Sequence, residues 1–346
     1  MSAFNDAIEA AGDGDDHLIG DVYYVSPTGA GPGTVDLSAE ASGAVPGTAT
    51  VEEGHAVTAY NDGLKGDADD DELIGDVYVV SDGTATVDLA ARATGGVSSS
   101  AAGGHTVSAY NDDVAGGAGA DTLVGDVYME GGGTLNVTVE GDDAGHTIQA
   151  FQDTLTGGVG DDVLYGDFYD GTGALAVTLD LGTSADFVGR DLLFADDLDG
   201  GAGADFLAGG LGGDAMTGGT GVDTFAWFAG DLAVLDFGGA IPVDTIDDFS
   251  SDIDADGTQA EANVNDVLDL ADLLADLGFD DNVDDIDDWL RLVQDGTSMN
   301  LEIDRDGTDA AEAFEVMLVL ENTEFVGVGL DSAVDELFQN GQLIVD

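Results

Sequence analysis

A nine-residue pattern, Gly-Gly-x-Gly-x-Asp-x-apolar-x, constrains the fold of this chain more than any other feature. Gly116–Val124 and Gly157–Tyr165 match the pattern at every fixed position, and three further copies run in tandem from Gly200 to Ala226. Its glycines let a short turn adopt positive φ and direct backbone carbonyls at one point, where the aspartate adds a charged oxygen. The apolar residue then enters a short strand. The pattern therefore predicts a calcium-binding solenoid.

These copies supply the predicted metal-site residues. Calcium takes about six to eight oxygen ligands, which the carbonyls and aspartates of such turns offer. Two earlier copies are degenerate, because residues 11–19 lack the first glycine and residues 66–74 carry aspartate at two glycine positions. From these two copies we predict Asp16 and Asp71 as metal ligands. From the full copies we predict Gly116, Gly117, Gly119, Asp121, Gly157, Gly158, Gly160, Asp162, Gly200, Gly201, Gly203, Asp205, Gly209, Gly210, Gly212, Asp214, Gly218, Gly219, Gly221 and Asp223.

A longer repeat surrounds the nonapeptides. Units that begin with an aromatic, a polar residue and an aspartate start near residues 4, 60, 110 and 151. Each unit continues with a nonapeptide, a Gly-Asp step, a strand of alternating apolar residues and a third strand that leads into the next aromatic. The variable lengths lie in stretches rich in Gly, Ser and Pro. We therefore predict a long-coil β-solenoid over residues 1–199 and a tandem β-roll over residues 200–226.

Two further aspartates recur once in each long unit and predict two additional columns of carboxylates. Either these columns complete calcium shells or they form a solvated acidic face, and the sequence leaves both interpretations open. The first column contains Asp6, Asp62, Asp112, Asp153 and Asp196, and the second contains Asp21, Asp76, Asp126 and Asp167.

On its nonapeptides the chain resembles the RTX (repeats-in-toxin) family. The resemblance implies a parallel β-roll with calcium held between successive turns, and folding that depends on calcium. Typical arrays of this family repeat every nine residues, whereas only residues 200–226 do so here. The aspartate ligand of the family maps onto Asp121, Asp162, Asp205, Asp214 and Asp223, and less closely onto Asp16 and Asp71.

The pattern changes after Ala226. Residues 227–346 resemble the C-terminal target domain of many type I secretion substrates, in an Asp-Thr-Ile-x-Asp-Phe stretch, an Asp-Val-Leu-Asp-Leu stretch and an apolar end. We predict a small α/β domain here, with a helix after residue 270, helical spacing over 283–293, strands at 299–303 and 314–320, and a short helix at 334–338. The resemblance implies export by a type I secretion apparatus to the cell surface or beyond, without the N-terminal signal peptide that the opening residues lack.

One more candidate metal site lies in this segment. Asp252, Asp254 and Asp256 fit the first half of an EF-hand loop, but the twelfth position is Asn263 instead of a bidentate glutamate. A calcium site and a plain acidic loop both remain open interpretations.

Charge excludes several classes of partner. The chain has 5 Lys and Arg against 73 Asp and Glu, a net charge of −68. Phosphate binding needs clustered Lys and Arg, so nucleic acid and anionic membrane surfaces are excluded as partners. Compact folding requires salt or divalent cations to offset the repulsion. The absence of cysteine excludes disulfides and thiolate metal sites, and no apolar run is long enough for membrane insertion.

The sequence thus predicts a mainly β protein, a parallel β-solenoid or β-roll with long insertions followed by a small α/β domain. The leading functional hypothesis is a secreted calcium-binding structural protein that self-assembles head to tail into a surface layer, matrix or filament. The alternative is a calcium-dependent adhesin for glycans or surfaces. A hydrolase built on a carboxylate pair is a third hypothesis. Established catalytic motifs are absent, so we assign no catalytic residue.

Overall fold

The structure is a computed structural model. It describes residues 2–3, 5, 7–9, 15–25, 34–42, 56–80, 85–94, 105–131, 133–141, 146–170, 175–180, 187–188, 192–232, 241–250, 265–280, 285–305, 307, 314–321, 323 and 333–345. The predicted fold class is confirmed. Strands at equivalent positions of successive coils pair in parallel and in register, as in the pairing of Thr106–Ala109 with Ala56–Ala59.

Four long coils of five strands each make up the first half of the molecule. The first contains β1 (Ser2–Ala3), β2 (Ala7–Glu9), β3 (His17–Ile19), β4 (Val22–Val25) and β5 (Thr34–Ser42). The second contains β6 (Ala56–Ala59), β7 (Gly63–Lys65), β8 (Glu72–Ile74), β9 (Val77–Val80) and β10 (Ala85–Thr94). The third contains β11 (Thr106–Ala109), β12 (Asp113–Ala118), β13 (Thr122–Val124), β14 (Val127–Glu130) and β15 (Gly133–Gly141). The fourth contains β16 (His146–Ala150), β17 (Thr154–Val159), β18 (Val163–Tyr165), β19 (Phe168–Asp170) and β20 (Leu175–Asp180).

The coils then become shorter. After β21 (Phe187–Val188), the strands β22 (Asp197–Ala202) and β23 (Phe206–Ala208) are followed by β24 (Ala215–Thr220) and β25 (Thr224–Ala226). The connection from β23 to β24 contains no described strand, so residues 209–226 form a short coil that extends only two of the five sheets. These are the sheets that contain the nonapeptide strands.

The C-terminal segment continues the same two sheets. Its elements are β26 (Asp244–Ile246), β27 (Val267–Asp269), α1 (Ala271–Leu277), β28 (Leu290–Asp295), β29 (Ser298–Ile303), β30 (Glu315–Leu320), α2 (Ala333–Gln339) and β31 (Leu343–Ile344). β26 and β30 extend the sheet of β24, and β27 and β31 extend the sheet of β25. β29 pairs antiparallel with both β28 and β30.

Two apolar cores lie side by side along the coils. The first core lies between the two sheets that reach the C-terminal segment, and it contains the apolar residue of each nonapeptide, such as Leu123 and Leu164. The second core is enclosed by the three other sheets and contains Val87, Leu135 and Phe151. Because side chains alternate across a strand, one face of each long β-strand fills the second core. Only the long coils contribute strands to it.

One local prediction is wrong. The helical spacing over residues 283–293 is not a helix in its described part, because Ile286–Asp288 forms one 3-10 turn and Leu290 begins β28. Leu290 and Leu292 are buried on either side of an exposed arginine, the period of a strand.

Candidate calcium-binding rows

The short coil shows how each long coil is built. The Gly166 N–H donates to the Ala208 carbonyl, and a Cβ atom on Gly166 would overlap the Gly209 carbonyl oxygen. Asp196 N–H donates to Asp214 Oδ1 at 2.9 Å. Residues 167–195 therefore occupy the place that residues 210–213 occupy in the short coil. Each long coil therefore contains two nonapeptide turns. In the second turn, an insertion that provides the strands around the second core separates the first glycine from the aspartate.

One row of aspartates comes from the unsplit nonapeptides. In each step, the backbone N–H of one aspartate donates to Oδ1 of its counterpart in the next coil, as from Asp121 to Asp162 at 2.8 Å and from Asp162 to Asp205 at 2.8 Å. The row therefore holds its carboxylates in register along the solenoid. This outer row consists of Asp16, Asp71, Asp121, Asp162, Asp205, Asp223 and Asp266.

A second row comes from the split turns. The same ladder links Asp112 N–H to Asp153 Oδ1 at 2.6 Å and Asp153 N–H to Asp196 Oδ1 at 2.7 Å. Asp214 continues this row, because successive nonapeptides of the tandem array face opposite sides. This inner row consists of Asp62, Asp112, Asp153, Asp196, Asp214 and Asp244.

The remaining oxygen of each carboxylate points at a glycine turn. Within the described part of the chain, no donor reaches Oδ2 of Asp121, Asp162 or Asp205, and all three oxygens are buried. A Cβ on Gly157 would overlap both Asp162 Oδ2 and the Gly200 carbonyl oxygen. Glycine is therefore required at Gly157, and the two oxygens converge on one point beside it. Converging carboxylate and carbonyl oxygens are the ligand set that calcium prefers.

The inner row repeats this geometry with an additional carboxylate. A Cβ on Gly75 would overlap Asp112 Oδ2 and the Gly125 carbonyl oxygen. Asp76 follows Gly75, where the short coil has Gly210. We call the four aspartates at this position the companion aspartates, namely Asp21, Asp76, Asp126 and Asp167. Asp76 and Asp126 are 0% exposed, and among the described residues neither carboxylate has a hydrogen-bond donor.

Burial makes both rows costly when they are ionised without a cation. Burial raises the pKa of Asp121 and of Asp205 to about 6. Burial raises the pKa of Asp153, in the inner row, to about 8. Burial and then the charge of Asp112 raise the pKa of Asp76 well above its usual range. The inner row and its companions are therefore not the solvated acidic face that the sequence left open.

The last aspartate of each row accepts hydrogen bonds from uncharged groups that follow the last nonapeptide. Asp244 Oδ2 accepts a hydrogen bond from Trp227 Nε1 at 2.6 Å. Asp266 Oδ2 accepts hydrogen bonds from Ser250 N at 2.7 Å and from Ser250 Oγ at 2.9 Å. The last carboxylate of each row is thus satisfied by the protein itself, whereas Oδ2 of Asp205 and of Asp214 has no donor among the described residues.

The structure places most predicted site residues in these rows and turns. Gly117, Gly158, Gly201, Gly210 and Gly219 have φ between 98° and 121°, so the second glycine of each full copy adopts the left-handed conformation. Asp6 lies outside the described residues. So does the acidic loop of residues 251–264, which contains Asp252, Asp254 and Asp256.

Sequence reasoning missed the glycines of the split turns. Gly75, Gly125 and Gly166 line the inner row as Gly157 lines the outer row. A signal was present, because the aromatic–polar–Asp motif is followed by one residue and an apolar residue, as in Asp153-Thr154-Leu155, which is the second half of a nonapeptide. The insertion separates that half from its glycines. Asp244 and Asp266, which end the rows, were also missed.

Comparisons with known proteins agree with this geometry. The family of RTX calcium-binding nonapeptide repeats matches the chain in four copies, over residues 106–127, 150–168 and 193–225. A comparison with curated proteins gives no match. Among the described residues, no helix has the length and apolar character needed to cross a membrane. The buried Oδ2 atoms and glycine turns fit calcium, and Asp121, Asp162, Asp205 and Asp223 are the residues that would hold it. The chain therefore carries RTX nonapeptide repeats over these residues, and nonapeptide repeats of this kind bind calcium.

Proposed function

We propose that the protein is exported by a type I secretion apparatus, folds outside the cell on calcium, and self-assembles as a structural subunit. The stacked carboxylate rows support the folding on calcium, because their carboxylates repel one another until cations bind. Calcium is scarce inside cells and abundant outside, so folding follows export. The C-terminal resemblance to type I secretion targets supports the route.

The sheet edges support self-assembly. Each of the five described sheets ends at a strand of the first coil, namely β1, β2, β3, β4 or β5. End strands present backbone N–H and C=O groups that pair with another chain. Three of the sheets also end at β19, β20 and β21, whereas the other two end in the C-terminal segment. A head-to-tail contact that pairs these edges extends the solenoid from one molecule to the next.

Electron microscopy in millimolar calcium and in chelator tests this function. We expect ordered filaments or sheets in calcium that disappear in chelator. Dispersed single particles at high protein concentration in calcium would rule out self-assembly.

A substitution in β4 tests whether its open edge makes the contact. The Val22 N–H donates inward to the Asp76 carbonyl, so the Val25 N–H, three residues later, points away from the sheet. Val25→Pro removes this outward donor and should shorten the assemblies. Val25→Thr keeps the N–H at the same position and should assemble like the unmodified protein. Equal assembly of both variants would place the contact elsewhere.

A second candidate function is the binding of glycans along a ladder of tyrosines. Tyr23, 58% exposed, stacks on Tyr78 at 5.3 Å, and the ladder continues through Tyr128 and Tyr169 with ring separations of 4.9 and 5.0 Å. Exposed aromatic faces suit sugar rings. Binding to a glycan array should be lost in Tyr23→Ala and retained in Phe338→Ala, which removes an exposed aromatic elsewhere. An array without any bound glycan would exclude this role.

A further inference from the structure

The inner row lies at the neck of each insertion. Asp76 separates Leu73 of the first core from Val77 of the second, so the chain leaves the first core at a companion aspartate. It returns at the inner row, since Asp112 follows Tyr110 of the second core by two residues. Both crossing points therefore place a carboxylate between the two cores.

We propose that this neck binds its own line of calcium ions, which tie the second core to the first. The inference rests on the calcium-dependent folding proposed above, and it adds sites that the contiguous nonapeptides do not form. One ligand set is Asp76, Asp112 Oδ2 and the Gly125 carbonyl oxygen. There are three equivalent sets: Asp21, Asp62 and Gly75; Asp126, Asp153 and Gly166; and Asp167, Asp196 and Gly209.

The unsatisfied oxygens point to a ligand. Asp76 and Asp126 have no donor for either carboxylate oxygen among the described residues, and Asp112, Asp153 and Asp196 have none for Oδ2. Buried polar atoms are normally paired, and each unpaired charge costs several kcal/mol, on the order of the effective penalty per buried ion. Near the start of the solenoid, carboxylate oxygens of Asp21, Asp62 and Asp76 lie within 4.8 Å of one another. That arrangement suits a shared cation.

The chain supplies few cations for this neck. It has only five Lys and Arg residues. Of those described, Arg92 pairs with Glu140, Arg291 with Glu302, and Arg305 with Glu315. Lys65 is exposed. Among the described residues, no lysine or arginine therefore pairs with a neck carboxylate.

The donor chemistry selects calcium. Every ligand in the neck is a carboxylate or carbonyl oxygen, which suits a hard cation and excludes the softer metals that prefer nitrogen or sulfur. A neck set contains two carboxylates within one turn, whereas an outer-row turn such as Gly157–Tyr165 contributes one from its fixed Asp162. Calcium affinity rises with the number of charged ligands and with the rigidity of the site. The neck ions should therefore leave more slowly than the outer-row ions.

Paired variants separate the two rows. Asp76→Asn with Asp126→Asn changes two companion aspartates and leaves the outer row intact, and Asp121→Asn with Asp162→Asn is the matched outer-row control. Calcium-loaded full-length protein is mixed with a chromogenic chelator, and both the amount of calcium released and the release rates are recorded. The unmodified protein should show a fast phase and a slow phase.

The two variants should affect different phases. The neck variant should lose about half of the slow amplitude, because two of the four companion aspartates are changed. The outer-row control should lose fast amplitude instead. If the unmodified protein binds calcium but the neck variant keeps its full count and its slow phase, this inference is wrong and the proposed function stands. If the unmodified protein binds no calcium, the proposed function itself fails.

A folding measurement tests the inference in a second way, in case the neck variant folds poorly. Without calcium, Asp76→Asn with Asp126→Asn removes buried like charges, so this variant should show more β-structure by circular dichroism in chelator than the unmodified protein. Its gain in β-structure on adding calcium should be smaller. Asp126→Gly, which restores the glycine found at Gly210, provides a second variant with the same expected loss of calcium. An unchanged calcium-induced gain in both variants would contradict a metal site in the neck.

Discussion

In the short coil, residues 210–213 connect Gly209 to Asp214 directly, whereas in the fourth long coil residues 167–195 make the same connection through strands of the second core. Both connections preserve the first glycine and the aspartate that face the ion position. A nonapeptide turn therefore tolerates a large insertion between these two residues, provided that the ends of the insertion remain adjacent.

The residue two positions before the returning aspartate differs between the two coil types. In the short coil Gly212 has φ 111°, and in the long coils Tyr60, Tyr110, Phe151 and Phe194 have φ 57° at the equivalent position. Bulky residues seldom adopt this left-handed conformation, which costs on the order of 1–3 kcal/mol. The aromatic rings stack at 4.8 to 5.0 Å inside the second core. Burial of these rings offsets the backbone strain.

The largest expected effect is the pH dependence of folding stability in chelator, to which the outer and inner rows contribute over different pH ranges. In the folded state, burial raises the pKa of these aspartates above the value in the unfolded chain. The pKa rises to about 6 for Asp121 and to about 8 for Asp153. The folded state therefore retains protons that the unfolded state releases above about pH 4. Stability without calcium is greatest below that pH and is lost as pH rises toward 8. Circular dichroism in chelator from pH 4 to 8 measures this loss, and a flat profile would contradict it.

Truncation of a stacked ring tests the second core. Phe151→Ala removes a fully buried ring between Tyr110 and Phe194 and should cost about 3–5 kcal/mol of unfolding free energy in calcium. Phe151→Tyr is the control. Tyr110 Oη already donates a hydrogen bond to the Ala90 carbonyl. Thr138 pairs with Ala90 on the neighbouring strand β15, so its backbone offers the same kind of partner to the hydroxyl that Phe151→Tyr introduces. Chemical denaturation measures both, and equal stability of the two variants would show that the ring stack does not support the fold.

The last aspartates of the two rows differ in the number of hydrogen-bond donors that the protein provides to Oδ2. Trp227→Phe removes the Nε1 donor and leaves Asp244 Oδ2 buried without that donor, at a cost of about 1–3 kcal/mol. Ser250→Ala removes one hydrogen bond to Asp266 Oδ2, but the backbone N–H remains, so its cost should be smaller. Thermal melting in calcium ranks the two variants. The reverse ranking would mean that Trp227 does not end the inner row.

The sequence predicts the outer row well and the inner row only in part. Fixed spacing identifies Asp121, Asp162 and Asp205, because the ligand residues of an unsplit turn are contiguous. The inner row was predicted as columns of aspartates, yet its relation to a nonapeptide was hidden, because the insertion separates Gly166 from Asp196 in sequence but not in space. The strand at Leu290 was mistaken for a helix, since a few apolar residues fit either period when pairing with β29 is unknown.

Calcium titration of the metal-free protein at neutral pH and low salt shows whether calcium drives folding of the solenoid. Circular dichroism follows the β-structure, and bound calcium is counted in parallel. We expect little β-structure in chelator and a cooperative gain of β-structure as calcium fills the two rows. An identical β-rich spectrum in chelator and in saturating calcium would contradict the claim that calcium drives folding of this solenoid.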